Sequence, residues 1–250
     1  MSHQSTLFAP PLSAPIPGQS SPSGQPCPAS AAAPPPVSGT REWASQSANC
    51  VTGCPHDCRY CYARYNACVR FHRVSPAAWP IPRVRTDQLR LRWQRLDGVV
   101  MFPTTHDITP DTLDACLYFL ANILRPGNRV LIVSKPHLPC VQRLCADLRP
   151  AADRVQFRFT IGADDDALLR YWEPGAPPFA ERFASLAHAH AAGFRTSVSA
   201  EPLLDAPNVQ RLVDRLRPHI TDTLWIGKLN CPDSRIQSRP GDDPARLAAL

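Results

Sequence analysis

The sequence predicts an α/β fold in which the strands of a parallel sheet alternate with helices. Short apolar runs of strand type, such as 98–102, 129–133 and 155–161, alternate with segments of helical periodicity. This alternation is typical of parallel βαβ units. With a first strand within 41–52, we expect six strands, which fit either an open doubly wound sheet or a partial (β/α) barrel. No Gly-x-Gly-x-x-Gly follows a strand, which disfavours a dinucleotide-binding sheet.

Apolar runs and helical periodicity predict the positions of the individual strands and helices. The predicted strands are 41–52, 98–102, 129–133, 155–161, 194–200 and 223–226, and the predicted helices are 59–71, 86–95, 110–124, 136–148, 178–192, 209–216 and 242–250. Asp111 and Asp114 stand in the first turn of the helix at 110–124, where acidic side chains are favourable. Gly193 stands at the position where a helix commonly ends. The acidic run at 164–166 is expected to cap a following helix rather than to bind a cation.

Residues 1–40 differ in composition from the rest of the chain. They hold a dense share of the 29 prolines, as in 33–36, mixed with Ser, Ala, Gly and Gln and almost no charge. Such a segment buries too little apolar surface to fold. We therefore expect a disordered tail at 1–40 and one domain at 41–250 whose C-terminal end is truncated. The tail lacks the pattern of a secretory signal, and no apolar run is long enough for a transmembrane helix.

The spacing of the ten cysteines indicates metal ligands rather than disulfides. Three of them fall within eight residues, and the others are scattered. Without an export signal, clustered cysteines are typical of a metal site in a reducing compartment, so we expect a cytoplasmic protein. Of the 27 basic residues only Lys135 and Lys228 are lysines, which suggests a need for a compact ammonium at these positions.

Polar residues follow each predicted strand. In chain order they are Cys54, then Thr104 to Asp107, Ser134 with Lys135, Thr160, Ser199 with Glu201, and Lys228 with Asn230. The carboxyl ends of parallel strands meet at one edge of a sheet or barrel, where active sites lie. Ordinary loop polarity would explain each residue singly, but six successive strands favour one shared cavity.

The cysteine loop carries the most specific signal. Cys54, Cys58 and Cys61 have the spacing C-x3-C-x2-C, with the aromatic residue Tyr60 just before the third cysteine. A [4Fe–4S] cluster usually has four thiolate ligands, so three leave one iron open. An open position is typical of catalytic rather than structural metal sites.

This loop resembles the motif of the radical S-adenosylmethionine (SAM) superfamily. The resemblance implies a partial (β/α)6 TIM-like barrel, and it implies that Cys54, Cys58 and Cys61 each bind one iron while SAM chelates the fourth. It further implies reductive cleavage of SAM to a 5′-deoxyadenosyl radical that abstracts hydrogen from a substrate. Tyr60 matches an aromatic residue that lies near the adenine in the family.

Further motifs are similar to the spore photoproduct lyase-like branch of this superfamily. They are Tyr-Cys-Tyr-Ala at 60–63 and the segments 172–177, 197–204 and 225–230. The branch implies that Lys135 reaches the SAM carboxylate and that Thr104, Thr105, His106 and Asp107 lie near the SAM amino group. Ser199 and Glu201 complete the expected cofactor-binding set. The lyase has a cysteine after its second strand, whereas 102–107 contains none here, which argues against photoproduct repair; no catalytic residue or substrate is assigned.

Two alternatives stay open. Cys50 with the three loop cysteines could hold zinc in a binding module without turnover, although zinc modules usually pair two C-x2–4-C knuckles across a longer gap. A basic run of arginines at 83–95 could contact nucleic acid, but such a run is usually a solvated face. The expected partners are SAM and an electron donor such as flavodoxin or ferredoxin, with nucleic acid not favoured and no membrane.

Overall fold

A computed structural model of the chain describes residues 39–239 and 242. Residues 1–38 of the predicted tail at 1–40, and most of the predicted helix at 242–250, lie outside the described residues. A 3-10 helix at Gly39–Glu42 places residues 39 and 40 in the described domain, so the expected boundary at 40 falls inside an element. None of the helices in this part of the chain combines the length and the hydrophobicity that a membrane span requires.

The principal sheet contains six parallel strands. The strands of the chain are β1 (Gln46–Ser47), β2 (Val51–Thr52), β3 (Arg83–Val84), β4 (Val99–Phe102), β5 (Arg129–Ser134), β6 (Val155–Thr160), β7 (Arg195–Ala200) and β8 (Leu224–Ile226). Hydrogen bonds join the six in the order β1-β4-β5-β6-β7-β8, and β2 pairs with β3 in a separate antiparallel ribbon. Neighbouring strands pair residue by residue without a shift: Val100 lies opposite Val130, and Val130 lies opposite Val155.

Most of the helices lie between successive strands of the parallel sheet, and the last one follows β8. They are α1 (Tyr62–Arg64), which continues as a π-helix at Tyr65–Arg70, α2 (Thr86–Leu89), α3 (Leu113–Leu124), α4 (Leu138–Asp147), α5 (Asp166–Trp172), α6 (Phe179–Ala191), α7 (Val209–Leu216) and α8 (Pro232–Arg235). Asp165 caps α5 by accepting bonds from the amides of Ala167 and Leu168, as the acidic run predicts. Gly193 follows α6 with a φ of +81°, which confirms the predicted helix end.

The strand order distinguishes the two predicted architectures. Each new strand lies beside the previous one without a reversal, whereas a doubly wound sheet reverses its order at a switch point. The apolar side chains of one sheet face, such as Phe102, Ile132 and Phe157, join the main core with helix residues such as Leu120 and Leu186. The fold is therefore a partial (β/α) barrel with one helical layer, as the resemblance implies.

Two predicted elements are wrong in extent. The strand expected at 41–52 is divided into β1 and β2, which belong to different sheets. The helix expected at 86–95 ends at Leu89. The following backbone is held by asparagines of the α3 region: Asn122 donates to the carbonyl of Leu89, and Asn128 donates to that of Gln94. These tertiary bonds outweigh the local helical preference.

Candidate functional site

The cysteine loop connects β2 to α1. Gly53 has a φ of +90°, and a side chain there would meet the carbonyl of Trp79, so glycine is required at this turn. Cys54 donates its amide to the Trp79 carbonyl at 3.0 Å, which fixes the start of the loop. Cys61 is the N-cap of α1, and its sulfur accepts a bond from the Arg64 amide at 3.4 Å. The loop therefore presents its three sulfurs from a defined backbone.

The three thiols of the loop are unpaired. Cys54 and Cys58 are buried, Cys61 is partly buried, and none forms a disulfide. Burial raises the pKa of all three thiols, and the charge of neighbouring cysteines adds to this effect at Cys54 and Cys58. Thiols that lie together in this way ionise when a cation or cluster supplies compensating positive charge. The donor set fits the three-thiolate corner of a [4Fe–4S] cluster.

Asp107 connects the cysteine loop to the ends of β4 and β5. Its Oδ1 accepts from the Lys135 amide at 2.7 Å and from the Ser134 hydroxyl at 3.0 Å. Its Oδ2 lies 2.7 Å from His56 Nδ1 and 3.8 Å from the Cys54 sulfur. Burial opposes ionisation, but the charges of Lys135 and His56 and these bonds hold the Asp107 pKa well below its usual range. Asp107 is thus a fixed anion rather than a free acid.

A chain of imidazoles leads from Asp107 toward the surface. His56 is fully buried, and its Nε2 lies 2.9 Å from His137 Nε2, so one ring donates and the other accepts. His137 Nδ1 lies 3.6 Å from a carboxylate oxygen of the half-buried Glu181. Burial and the neighbouring His56 lower the pKa of His137. Sequence reasoning missed His56, which occupies one of the unspecified positions of the motif and carries no signal of its own.

Lys135 lies in a buried ionic cluster beside Cys58 and Tyr60. Its Nζ is 4.0 Å from Glu173 Oε1 and 5.7 Å from the centre of the Tyr60 ring. Desolvation disfavours the ammonium, but the acidic groups around it, of which Asp107 and Glu173 are ionised, raise the Lys135 pKa above its ordinary value. Lys135 is therefore a permanent cation next to the cysteine loop.

Glu173 and Arg182 form a buried ion pair next to Lys135. Both are buried, and Arg182 Nη1 lies 2.5 Å from Glu173 Oε2. The Tyr60 hydroxyl donates to the other carboxylate oxygen of Glu173. Glu173 lies within a quoted branch motif, but neither its role nor that of Arg182 follows from the sequence, because the partners are distant along the chain.

Of the segment 104–107, only the Asp107 side chain contacts the cysteine loop among the described residues. Asn49 accepts from the amides of Thr104 and Thr105 at 2.8 Å and donates to the Thr104 hydroxyl at 2.7 Å. The Tyr62 hydroxyl donates to the Thr104 carbonyl. The His106 ring instead packs on Phe102, and its Nε2 has no partner among the described residues.

The two remaining predicted residues lie at the end of β7. Glu201 accepts from Trp225 Nε1 at 2.8 Å and from the Asn230 amide at 3.3 Å. The Ser199 hydroxyl forms no hydrogen bond with a described residue. Neither side chain bonds to the cysteine loop, in contrast to Asp107.

The alternative zinc site requires Cys50 to lie with the three loop cysteines, but Cys50 contacts another cysteine instead. Cys50 places its sulfur 3.9 Å from that of Cys116, and both are fully buried. A group of donor atoms within 4.8 Å of one another is formed instead by Cys54, His56 and Asp107, which belongs to the site already described.

Comparison with known proteins defines the class of this chain. A model of the radical SAM superfamily matches residues 49–215, so the chain belongs to that superfamily, whose enzymes use radical chemistry. Its fold is similar to solved structures of spore photoproduct lyase. One, a mutant with bound AdoMet and dinucleoside spore photoproduct, has a TM-score of 0.52 at 18% identity over 75% of this chain and 58% of that chain.

A second mutant structure of the same lyase gives a TM-score of 0.51 at 18% identity, over 76% of this chain and 58% of that one. The chain thus spans less than two thirds of the length of these structures. No curated protein matches the sequence.

Proposed function

We propose that the chain is a radical SAM enzyme that binds a [4Fe–4S] cluster through Cys54, Cys58 and Cys61. The observation that carries this proposal is the set of three unpaired thiols on one loop, with the Lys135 ammonium 5.7 Å from the ring of Tyr60 in the same loop. When bound, the cluster supplies the electron that breaks the S–C5′ bond of SAM, giving methionine and a 5′-deoxyadenosyl radical. This radical abstracts hydrogen from a substrate that is not assigned.

The residues of the chain would bind and orient SAM. The Lys135 ammonium pairs with the methionyl carboxylate, because a fixed buried cation is the natural partner of that group. Thr104, Thr105 and Asp107 of the expected segment would lie along the amino group, whereas the His106 ring, which packs on Phe102, would not contact it. Tyr60, whose hydroxyl donates to Glu173, would lie beside the adenine. Ser199 and Glu201 form the opposite wall.

Reduction of the cluster requires an external one-electron donor of the flavodoxin or ferredoxin type. Arg83 and Arg85, at β3 and just after it, are exposed and could contact an acidic donor or a nucleic acid. Repair of a photoproduct is not proposed, because the segment 102–107 has no cysteine to return a hydrogen atom.

The proposal is tested by anaerobic reconstitution with iron and sulfide, followed by incubation with SAM and dithionite. The expected protein is brown, holds about four irons and four sulfides per chain, and forms 5′-deoxyadenosine, measured by mass spectrometry. A colourless protein with one zinc and no 5′-deoxyadenosine would refute the proposal and favour a binding module.

A further inference from the structure

The inner face of the barrel sheet holds a buried arginine that has no acidic partner. Arg158 is the fourth residue of β6 and is 6% exposed. Its Nε donates to the Ser197 hydroxyl on β7 at 3.2 Å. Its two terminal nitrogens donate to no described residue, and no carboxylate among the described residues lies within 4 Å.

The other buried arginines of the described chain are paired. Arg182 lies 2.5 Å from Glu173, and Arg59 Nη1 lies 2.6 Å from Asp242 Oδ1. Burying an unpaired charge is costly, so buried cations normally have an anionic partner. Arg158 is the exception among the described residues, so its anionic partner comes from outside them.

Asp222, whose charge acts on Arg158 from a distance, already has other partners. Asp222 pairs with Arg195 and accepts a bond from the Thr223 hydroxyl at 2.6 Å. Desolvation lowers the pKa of Arg158, and the charge of Asp222 offsets this only in part. The guanidinium thus has no ion-pair partner among the described residues, and only its Nε donates a hydrogen bond there.

Two tryptophans connect Arg158 with the end of β7. The Arg158 guanidinium carbon lies 4.1 Å from the centre of the Trp43 ring, and Trp43 contacts Trp225 edge to face at 4.9 Å. Trp225 in turn donates to Glu201 at 2.8 Å. Trp43 precedes the edge strand β1 and Trp225 belongs to the edge strand β8, so the pair lies where the barrel is open. The stack orients the planar guanidinium and leaves its terminal nitrogens free.

We propose that Arg158 binds an oxyanion, a carboxylate or a phosphate, carried by the substrate of the radical reaction. This inference rests on the proposed function and adds the chemical class of the substrate. The oxyanion lies on the terminal nitrogens of Arg158, and the aromatic pair Trp43 and Trp225 forms the adjoining wall. The substrate is thereby anchored at a point separate from Lys135, which serves the SAM carboxylate.

The test is a titration of the reconstituted protein with sodium phosphate, and separately with sodium succinate, at constant ionic strength. Tryptophan fluorescence is the readout, because two of the five tryptophans lie at the site. The parent should give a saturable change with at least one oxyanion, and the stronger response tells phosphate from carboxylate. Arg158→Gln should weaken the apparent affinity by about ten-fold or more. Arg170→Gln, which changes an exposed arginine in α5, is the control and should behave as the parent.

Arg158→Lys guards against misfolding of the neutral variant, since it keeps the charge and should bind with intermediate affinity. A response that is linear in both anions, or equal in the parent and in Arg158→Gln, would overturn the proposal. A loss of SAM affinity in Arg158→Gln as large as that in Lys135→Ala would also overturn it, because Arg158 would then belong to the SAM site. Formation of 5′-deoxyadenosine by the parent is measured in parallel: its absence refutes the proposed function and not the anion site.

Discussion

The two sides of the barrel mouth are built differently. On the cysteine side, which consists of Cys54, Cys58, Asp107, Lys135 and Glu173, the Glu173 side chain is fully buried, those of Asp107 and Lys135 are partly exposed, and each charged group already has an ionic or hydrogen-bonding partner. On the far side, which consists of Ser199, Glu201, Trp225 and Asn230, the groups are partly exposed and bond mainly to one another.

This difference indicates a division of labour. A site that holds a cluster and a charged cosubstrate needs its groups fixed beforehand, and buried networks provide that order. The more exposed far side would form the opposite wall of the SAM site, and the proposed anchor for the substrate is Arg158. The cysteine side should therefore respond to substitution with large effects and the far side with small ones.

The largest effect is expected for Cys58→Ala. Loss of one of three thiolates leaves too few ligands for the cluster, so bound iron and 5′-deoxyadenosine should both fall to background. Cys145→Ala, which removes a buried thiol from α4, is the control and should retain both. Equal loss in the two variants would show that the ligand set is wrong.

The next effect concerns the stability of the cysteine side. Glu173→Gln leaves Arg182 and Lys135 without their buried anion and should cost about 3–5 kcal/mol in the free energy of unfolding, measured with urea. The partly exposed Glu181→Gln should cost about 1 kcal/mol or less. Similar losses in both variants would contradict the buried ionic cluster.

The ionisation of Glu173 also predicts how the stability of the protein depends on pH. Burial opposes ionisation of Glu173, but Arg182 and Lys135 lower its pKa below the usual range. A group whose pKa is lowered by folding stabilises the protein above its unfolded pKa, about 4.3 for Glu. The parent should therefore lose stability more steeply than Glu173→Gln as the pH falls below about 5. Parallel curves would place the stabilising charge elsewhere.

Lys135→Ala should weaken SAM binding by about ten- to a hundred-fold, because a charge-assisted bond contributes roughly 1.5–3 kcal/mol. Iron content should be unchanged, since no ligand is touched. Lys135→Arg should restore binding only in part, because the planar fork differs from a compact ammonium. Lys228→Ala, at the other lysine of the chain, is the control. Unchanged affinity in Lys135→Ala, measured by titration of reconstituted protein, would remove Lys135 from the SAM site.

The smallest effect is expected on the far side. Glu201→Gln keeps the shape of the side chain and part of its hydrogen bonding, so it should lower stability by about 1 kcal/mol or less and SAM affinity by about five-fold or less. Asp222→Asn, a surface carboxylate near the same strands, is the control. An effect of Glu201→Gln as large as that of Glu173→Gln would abolish the distinction between the two sides.

The sequence predicts the fold well where local signals and tertiary packing agree. The strands β4 to β8 fall within about a residue or two of their predicted bounds, because apolar runs between helices leave little choice. The helix expected at 86–95 fails because Asn122 and Asn128 bind its backbone from another element. Nothing in a single sequence shows such a contact.

The candidate site, too, could be predicted from the sequence only where the signals are local. The cysteine spacing and the strand-end rule indicate Asp107 and Lys135, since both features are local. His56, Glu173 and Arg182 escape sequence reasoning because their roles come from burial and from partners in other segments. Their importance becomes visible only when the loops after several strands are brought together.

The central claim is that three cysteines hold a cluster with one iron open to SAM. Electron paramagnetic resonance of the dithionite-reduced, reconstituted protein tests it directly, with and without SAM. We expect the signal of a reduced [4Fe–4S] cluster whose spectrum changes when SAM is added. No cluster signal, or a spectrum that SAM leaves unchanged, would contradict it.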